Sequence, residues 1–270
     1  MTDILLYTLP LLVLLAPTYL AGLRALHVHP QGRRQQRRRV ACLLAGVVTL
    51  VVITIPPIGE RLEPRMWTHM TQHLVIMMVA APLIALGRPG QVLLAGMAPL
   101  WRRRMVRFAH RLPGLGVAAP AAWVAYVAAL WIWHMPGPYD AAVRHEPVHL
   151  LEHVTFAVTS WLFWVALIRL ASDQRRGPIG ALYVASVVPP GAALGAVLTF
   201  APRPLFPAQA EDAAARSIDP LLDQRIAGLV MWIPLDMAFL GLAIWLFARW
   251  WQRAQDAPTH LPAEPAGVGR

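Results

Sequence analysis

Histidines recur at two places in the chain with the spacing of one helical turn. His69 and His73 stand in the segment WTHMTQHL, and His149 and His153 stand in PVHLLEHV. On an α-helix, residues at i and i+4 share a face, with their Cβ atoms about 5–6 Å apart. Two imidazoles placed in this way can chelate one metal ion, so each pair is a candidate half of a metal site.

Other candidate ligands accompany the two pairs. His134 ends a long apolar stretch. Thioether sulfurs are offered by Met66, Met70, Met135 and Met231. Imidazole together with thioether suits copper, particularly Cu(I). Glu152 stands between the histidines of the second pair, where its carboxylate could accept a hydrogen bond that fixes an imidazole tautomer. The residue types therefore predict a copper centre.

The composition indicates a membrane protein. Of the 270 residues, 57% are hydrophobic and 14% are charged, whereas soluble domains carry about 25% charged residues. All 24 basic residues are arginine, which excludes a retinal Schiff base and other lysine chemistry. Cys42 is the single cysteine, which excludes an intrachain disulfide and thiolate sites built from paired cysteines.

Hydropathy predicts an all-α transmembrane bundle of about seven spans, since apolar stretches recur at about the 20-residue length that crosses a bilayer core. The predicted spans are residues 4–26, 40–58, 66–87, 117–134, 148–170, 179–200 and 226–248. We predict that residues 1–251 form one domain and that 252–270 form a disordered cytoplasmic tail. The apolar segment Gln91–Leu100 is predicted to lie at the interface, and the proline-rich connection 201–225 to lack regular structure.

The arginines predict the orientation of these spans. They concentrate in the connections 27–39, 88–116 and 170–178 and in the C-terminal tail, which alternate with acidic connections. The positive-inside rule makes the arginine-rich side cytoplasmic, so the N-terminus lies outside and the C-terminus inside. Arginines distributed in this way indicate topology rather than a nucleic-acid partner.

This topology places the five candidate histidines together at the outer ends of their spans. Four other histidines fall on the inner side: His27, His29, His110 and His260. Asp236 falls near the middle of the seventh span, where an acid is a functional candidate or pairs with a neighbouring polar group. Ionisable groups are costly inside a membrane, so a cluster of histidines at one depth favours a metal site.

Three segments of the chain resemble the multispanning CtaG family of cytochrome c oxidase assembly factors, which serves caa-type oxidases. They are THMTQHLVIMMVAAPLIALGRP (68–89), WIWHMPGPYDAAVRHEPVHLLEHVTFAVTSWLFW (131–164) and DQRIAGLVMWIP (223–234). They carry the patterns HMxQH, WHxPxxYD, HxLEH and DQxxAGxxMW in the family's order. Together they cover about a quarter of the chain.

The resemblance implies a non-enzymatic role in maturing the copper-containing centre of the oxidase. It implies oxidase subunits and periplasmic copper chaperones as partners, and the bacterial inner (plasma) membrane as the location. Carried over by position, the copper ligands are His69, His73, His134, His149, His153 and Met231. Asp223 of the last motif joins Glu152 as a residue that supports these ligands, whereas His145 falls outside the pattern.

Two other functions stay open on the sequence. A membrane haem protein in electron transfer could use one histidine of each pair as axial ligands. A membrane enzyme could activate a metal-bound water, with Glu152 as the available acid/base partner. A strong Soret band in the purified protein would favour haem, and stoichiometric copper without that band would favour the copper centre.

The predicted topology can be tested with fusions. Alternation of seven spans places residue 255 in the cytoplasm. A reporter fused after Trp251 is therefore expected to be active as a cytoplasmic marker and inactive as a periplasmic one. Periplasmic activity of this fusion would overturn both the topology and the outer location of the histidines.

Overall fold

The computed structural model describes residues 16–25, 30–54, 65–111, 114–173 and 176–256, and no strand occurs among them. The helices are α1 (16–25), α2 (Pro30–Thr54), α3 (Met66–Val75), α4 (Ala81–Gly87), α5 (Pro89–Gly96), α6 (Pro99–Arg111), α7 (Leu115–Trp133), α8 (Pro136–Arg144), α9 (Glu146–Ser172), α10 (Gly177–Ala185), α11 (Val188–Phe200), α12 (Pro207–Ala215) and α13 (Pro220–Gln255). A π-helical segment, Ile76–Ala80, joins α3 to α4.

Five helical segments in the described ranges are long and apolar enough to cross a membrane, which makes the chain a multi-pass membrane protein. They are Met66–Gly96, Leu115–Trp133, Glu146–Ser172, Gly177–Phe200 and Pro220–Gln255. These segments correspond to the third to seventh predicted spans. The second predicted span is helical in α2, which is not one of the five, and most of the first lies outside the described residues. The count of seven and the orientation of the termini stay predictions.

Prolines start helices where the sequence predicted irregular structure. The connection 201–225 contains α12 and the first turn of α13, which begin at Pro207 and Pro220. Proline is favoured in a first helical turn because its fixed φ suits the helix and its missing N–H has no helical partner there. The prediction of an irregular connection was therefore wrong for these residues. The predicted interfacial segment Gln91–Leu100 is likewise divided between α5 and α6.

The helix α13 is longer than predicted at its C-terminal end. It continues to Gln255, into the segment predicted as a disordered tail. Residues 257–270 of that tail lie outside the described residues.

Aromatic rings from three helices form the core between the spans. Tyr126 of α7, Phe163 of α9 and Phe239 of α13 have ring centroids 4.8–6.4 Å apart. Each of these rings is fully buried, and aromatic pairs at such distances are favourable beyond the apolar area that they bury. Phe156 of α9 extends this core toward the candidate site, with its ring centroid 4.7 Å from that of His73. The core therefore fixes the helices that carry the histidines.

Two glycines let α11 and α13 approach with their backbones in contact. A Cβ placed on Gly228 would contact the side chain of Thr199 and lie 2.9 Å from the carbonyl oxygen of Gly195. A Cβ placed on Gly195 would overlap with the Cβ of Trp232. Small residues at helix interfaces allow such close packing in membranes, where lipid supplies no hydrophobic force between helices. The close packing of α11 against α13 thus explains the glycine of the DQxxAGxxMW motif.

We expect Gly228→Leu to separate α11 from α13 and to lower the melting temperature of the purified protein in detergent. Overpacking of this kind costs about 1–3 kcal/mol. The matched control is Gly241→Leu in the same helix, because a Cβ at Gly241 meets no atom within 4 Å. Equal melting temperatures for the two variants would contradict the close packing.

Candidate metal centre

The two helices with paired histidines bring their imidazoles together. The ring centroids are 4.3 Å apart within the α3 pair, His69 and His73, and 4.3 Å apart within the α9 pair, His149 and His153. Between the helices, the centroids of His69 and His149 are 5.2 Å apart and those of His73 and His153 are 5.3 Å apart. Four imidazoles that are distant in the sequence therefore form one cluster.

His134, the residue after α7, adds a fifth imidazole. Its ring centroid lies 6.4 Å from that of His73. Its Nδ1 lies 2.6 Å from the carbonyl oxygen of Leu130, and because a carbonyl only accepts, Nδ1 is the donor. In the neutral imidazole Nε2 then carries a free lone pair. This Nε2 lies 3.2 Å from the sulfur of Met70. Two potential metal ligands, a nitrogen and a sulfur, therefore lie side by side.

The carboxylate of Glu152 lies between the imidazoles of α3. The residue is 0% exposed. Its Oε2 is 3.7 Å from Nε2 of His69, and its Oε1 is 3.7 Å from Nε2 of His73. Ligand atoms of His69, His149 and Glu152 all lie within 4.8 Å of one another. Glu152 therefore stands at the distance of a ligand, whereas the sequence assigned it a supporting role.

These separations suit coordination to an ion. A distance of 3.7 Å between nitrogen and oxygen is too long for a hydrogen bond. Ligand atoms around a tetrahedral metal with bonds of about 2.0–2.3 Å lie roughly 3.3–3.8 Å apart. Both oxygens of Glu152 and both ring nitrogens of His73 and His153 have no hydrogen-bond partner within the described ranges. Buried polar atoms are rarely left unpaired, and this donor set fits a metal ion.

A cavity of about 630 Å³ reaches the cluster between α8, α9 and α12. Among the five imidazoles, those of His69 and His149 line it. Charged side chains form much of the remaining wall, and Arg144 of α8 pairs with Glu211 of α12 at 3.5 Å. An ion that enters through this cavity meets His69 and His149 before the other imidazoles.

Tyr139 of α8 packs beside the cluster. Its ring centroid lies 5.8 Å from that of His69 and 4.2 Å from that of Phe206. Burial raises the pKa of the Tyr139 hydroxyl well above its ordinary value, and the charge of Glu152 adds to the shift. The phenol is therefore protonated, and its hydroxyl has no hydrogen-bond partner among the described residues. Sequence reasoning missed this residue, although it stands in the WHxPxxYD motif.

Asp223 and Met231 of the last motif occupy different environments. Oδ2 of Asp223 accepts a hydrogen bond from the backbone N–H of Met66 at 2.7 Å. This N–H belongs to the first turn of α3, where a carboxylate satisfies an orphan donor and complements the helix dipole. Asp223 thus fixes the helix that presents His69 and His73. Met231 is buried in the apolar core, and its role as a ligand stays a prediction.

The remaining histidines and Asp236 lie apart from these contacts or outside the described residues. His110 and His145 are exposed, at the end of α6 and between α8 and α9. Asp236 is buried in α13 with Oδ1 unpaired among the described residues, and its role stays open. The structure does not describe His27, His29 and His260.

A break in the regular helix ties the two histidine helices to each other. In the π-helical segment the N–H of Ala81 bonds to the carbonyl of Ile76, so the carbonyl of Met77 loses its usual α-helical donor. Nε1 of Trp164 in α9 donates to this carbonyl at 2.9 Å. Inside a membrane a freed backbone group must find such a partner. The bond therefore fixes α9 along the span that begins with α3.

Comparison with known proteins identifies the family that the chain matches. Residues 18–253 match the model of a family described as the cytochrome c oxidase caa3 assembly factor. The chain is 24% identical to an uncharacterized protein of Mycobacterium leprae (strain TN) over an alignment of 253 residues, and the match covers 88% of this chain and 38% of that protein. The chain thus spans well under half the length of this curated relative. No solved structure matches the chain.

Replacing Trp164 by phenylalanine is expected to loosen the contact between the histidine helices. The variant keeps the aromatic packing and leaves the Met77 carbonyl without its donor, which costs about 1–3 kcal/mol for a buried group. We expect a lower melting temperature and weaker metal binding. Trp161→Phe is the matched control, because Nε1 of Trp161 has no hydrogen-bond partner among the described residues. Equal behaviour of the two variants would contradict the role of this bond.

Proposed function

The chain belongs to the cytochrome c oxidase caa3 assembly factor family, and from this premise we propose that it binds copper at its histidine cluster and supplies it to the oxidase during assembly. One observation carries the proposal. Five imidazoles and the carboxylate of Glu152 converge in a buried space at the end of a cavity. The proposed role is non-enzymatic, since the metal is cargo for the oxidase.

Copper is favoured over other metals by the donor set. Imidazoles bind several transition metals, but a thioether is a soft ligand that suits Cu(I). The sulfur of Met70 lies 3.2 Å from Nε2 of His134. Glu152 is the carboxylate of the group, and so little negative charge favours monovalent over divalent copper. Met231 is proposed as a further thioether from the family pattern.

Haem fits the same geometry less well. A porphyrin between two axial imidazoles needs the plane around the iron to be free for the macrocycle. Here the ring centroids of neighbouring imidazoles lie 4.3–6.4 Å apart, and Glu152 lies among them. That plane is filled by the remaining ligands. The packing of the cluster therefore favours a bare ion.

The cavity suggests how copper enters. His69 and His149 line it, and its charged wall is made by α8, α12 and the start of α9. We propose that this end of the bundle faces the outside of a bacterial inner membrane, as the arginine distribution predicts. A periplasmic copper chaperone then delivers the ion through the cavity, and subunits of the oxidase receive it.

Alanine variants of the cluster test this function. We expect His73→Ala and His153→Ala to bind copper at least tenfold more weakly and to leave the oxidase short of copper, because each variant removes a donor atom. Their amounts in the membrane should stay near normal, since the removed nitrogens have no hydrogen-bond partner in the described structure. Added copper should restore part of the oxidase activity by mass action.

His145→Ala is the matched control, because His145 is exposed at the same end of the bundle. It should retain the copper content and oxidase activity of the wild type. If the cluster variants also retain both, the copper function is wrong and the histidines have a structural role. A haem absorption band that disappears in the cluster variants would instead support the haem alternative.

A further inference from the structure

We propose that the cluster contains two metal positions bridged by Glu152, and that the inner position is a Cu(I) site formed by His73, His134 and Met70. The outer position consists of His69, His149 and Glu152. This inference rests on the proposed function and adds to it a division of the ligands. Copper passes from the outer to the inner position as Cu(I), so no electron is transferred.

Exposure to the cavity separates the two groups of ligands. His69 and His149 line the cavity, and with Glu152 their ligand atoms lie within 4.8 Å of one another. His73 and His134 are also buried and do not line it. The inner group is therefore reached through the outer one.

The carboxylate of Glu152 connects the two groups. Its Oε2 faces Nε2 of His69 and its Oε1 faces Nε2 of His73, each at 3.7 Å. The two oxygens thus point at imidazoles of different positions. A carboxylate in this arrangement can hold one ion with each oxygen, or hand a single ion from one side to the other. Buried charge needs a counter-charge, and a cation at either position supplies it.

The contact between His134 and Met70 identifies the inner position. Nδ1 of His134 donates to the carbonyl of Leu130, so Nε2 of the neutral ring and the sulfur both present lone pairs. At 3.2 Å these lone pairs face each other with no proton between them. A bound cation satisfies both donors.

The two donor sets differ in the ions that they favour. The outer set, two imidazoles and a carboxylate, accepts divalent ions and copper in either oxidation state. The inner set includes a thioether, which favours Cu(I). His153 lies between the sets, with its ring centroid 4.3 Å from that of His149 and 5.3 Å from that of His73. It can serve either position during transfer.

The test measures Cu(I) binding to the full-length protein in detergent under anaerobic conditions. A chromogenic Cu(I) chelator competes for the metal, and the copper X-ray absorption spectrum reports sulfur at about 2.3 Å. Met70→Leu removes the thioether while conserving volume. Met77→Leu is the matched control, a buried methionine that follows on the same span. His149→Ala removes an outer ligand.

We expect two Cu(I) equivalents in the wild type and in Met77→Leu, both with a sulfur signal. Met70→Leu should bind one equivalent without that signal, and His149→Ala should bind one equivalent with it. Copper bound by the wild type without sulfur, or two equivalents in Met70→Leu, overturns the inner site and leaves the proposed function intact. Absence of copper from the wild-type protein overturns both.

Discussion

The carboxylate of Glu152 has no exposure to solvent and is surrounded by imidazoles. Burying a carboxylate in a low-dielectric interior is costly unless it is paired. Its two oxygens lie 3.7 Å from Nε2 of His69 and of His73, which is too far for a hydrogen bond. The arrangement of the cluster depends on this constraint, because a cation held between nitrogen and oxygen ligands would supply the missing counter-charge.

Residues outside the cluster hold its imidazoles in place. Asp223 fixes the first turn of α3, and Trp164 fixes the same span at Met77, one turn beyond His73. The amide of Gln224 adds a second connection, since it accepts from the N–H of Leu205 and donates to the carbonyl of Leu198. Asp140 accepts from the N–H of Ala208 in the first turn of α12. Some polar residues of the motifs thus belong to the histidine cluster, and others position the helices that carry it.

The sequence predicted the helical class, the helices that became the five described spans, and the i, i+4 pairs, because hydropathy and helical periodicity are local properties. It predicted less well where one residue type favours two structures, as proline does by ending a helix or by beginning one. Pro207 and Pro220 begin helices in a connection whose prolines predict irregular structure. Among the four thioethers the resemblance selects Met231, whereas the contact of Met70 with His134 depends on how α3 packs against the end of α7 and is not a local property. The bond from Trp164 to the Met77 carbonyl was invisible for a similar reason, since its acceptor exists only because the helix is locally π.

The π-helical segment also changes the angular phase of the span. Each residue of an α-helix advances the side chains by about 100°, and one extra residue in the turn at Ile76–Ala80 shifts α4 by about that angle relative to α3. As a result α3 packs against α13 while α4 packs against α2, where Gly46 and Gly87 allow close approach. One membrane-spanning segment thereby packs against two helices, α13 and α2, that lie in different directions. A shortened segment would preserve every ligand and every apolar residue, yet it would rotate the imidazoles of α3 away from those of α9. The insertion therefore determines the geometry of the histidine cluster as much as the spacing of the histidines does.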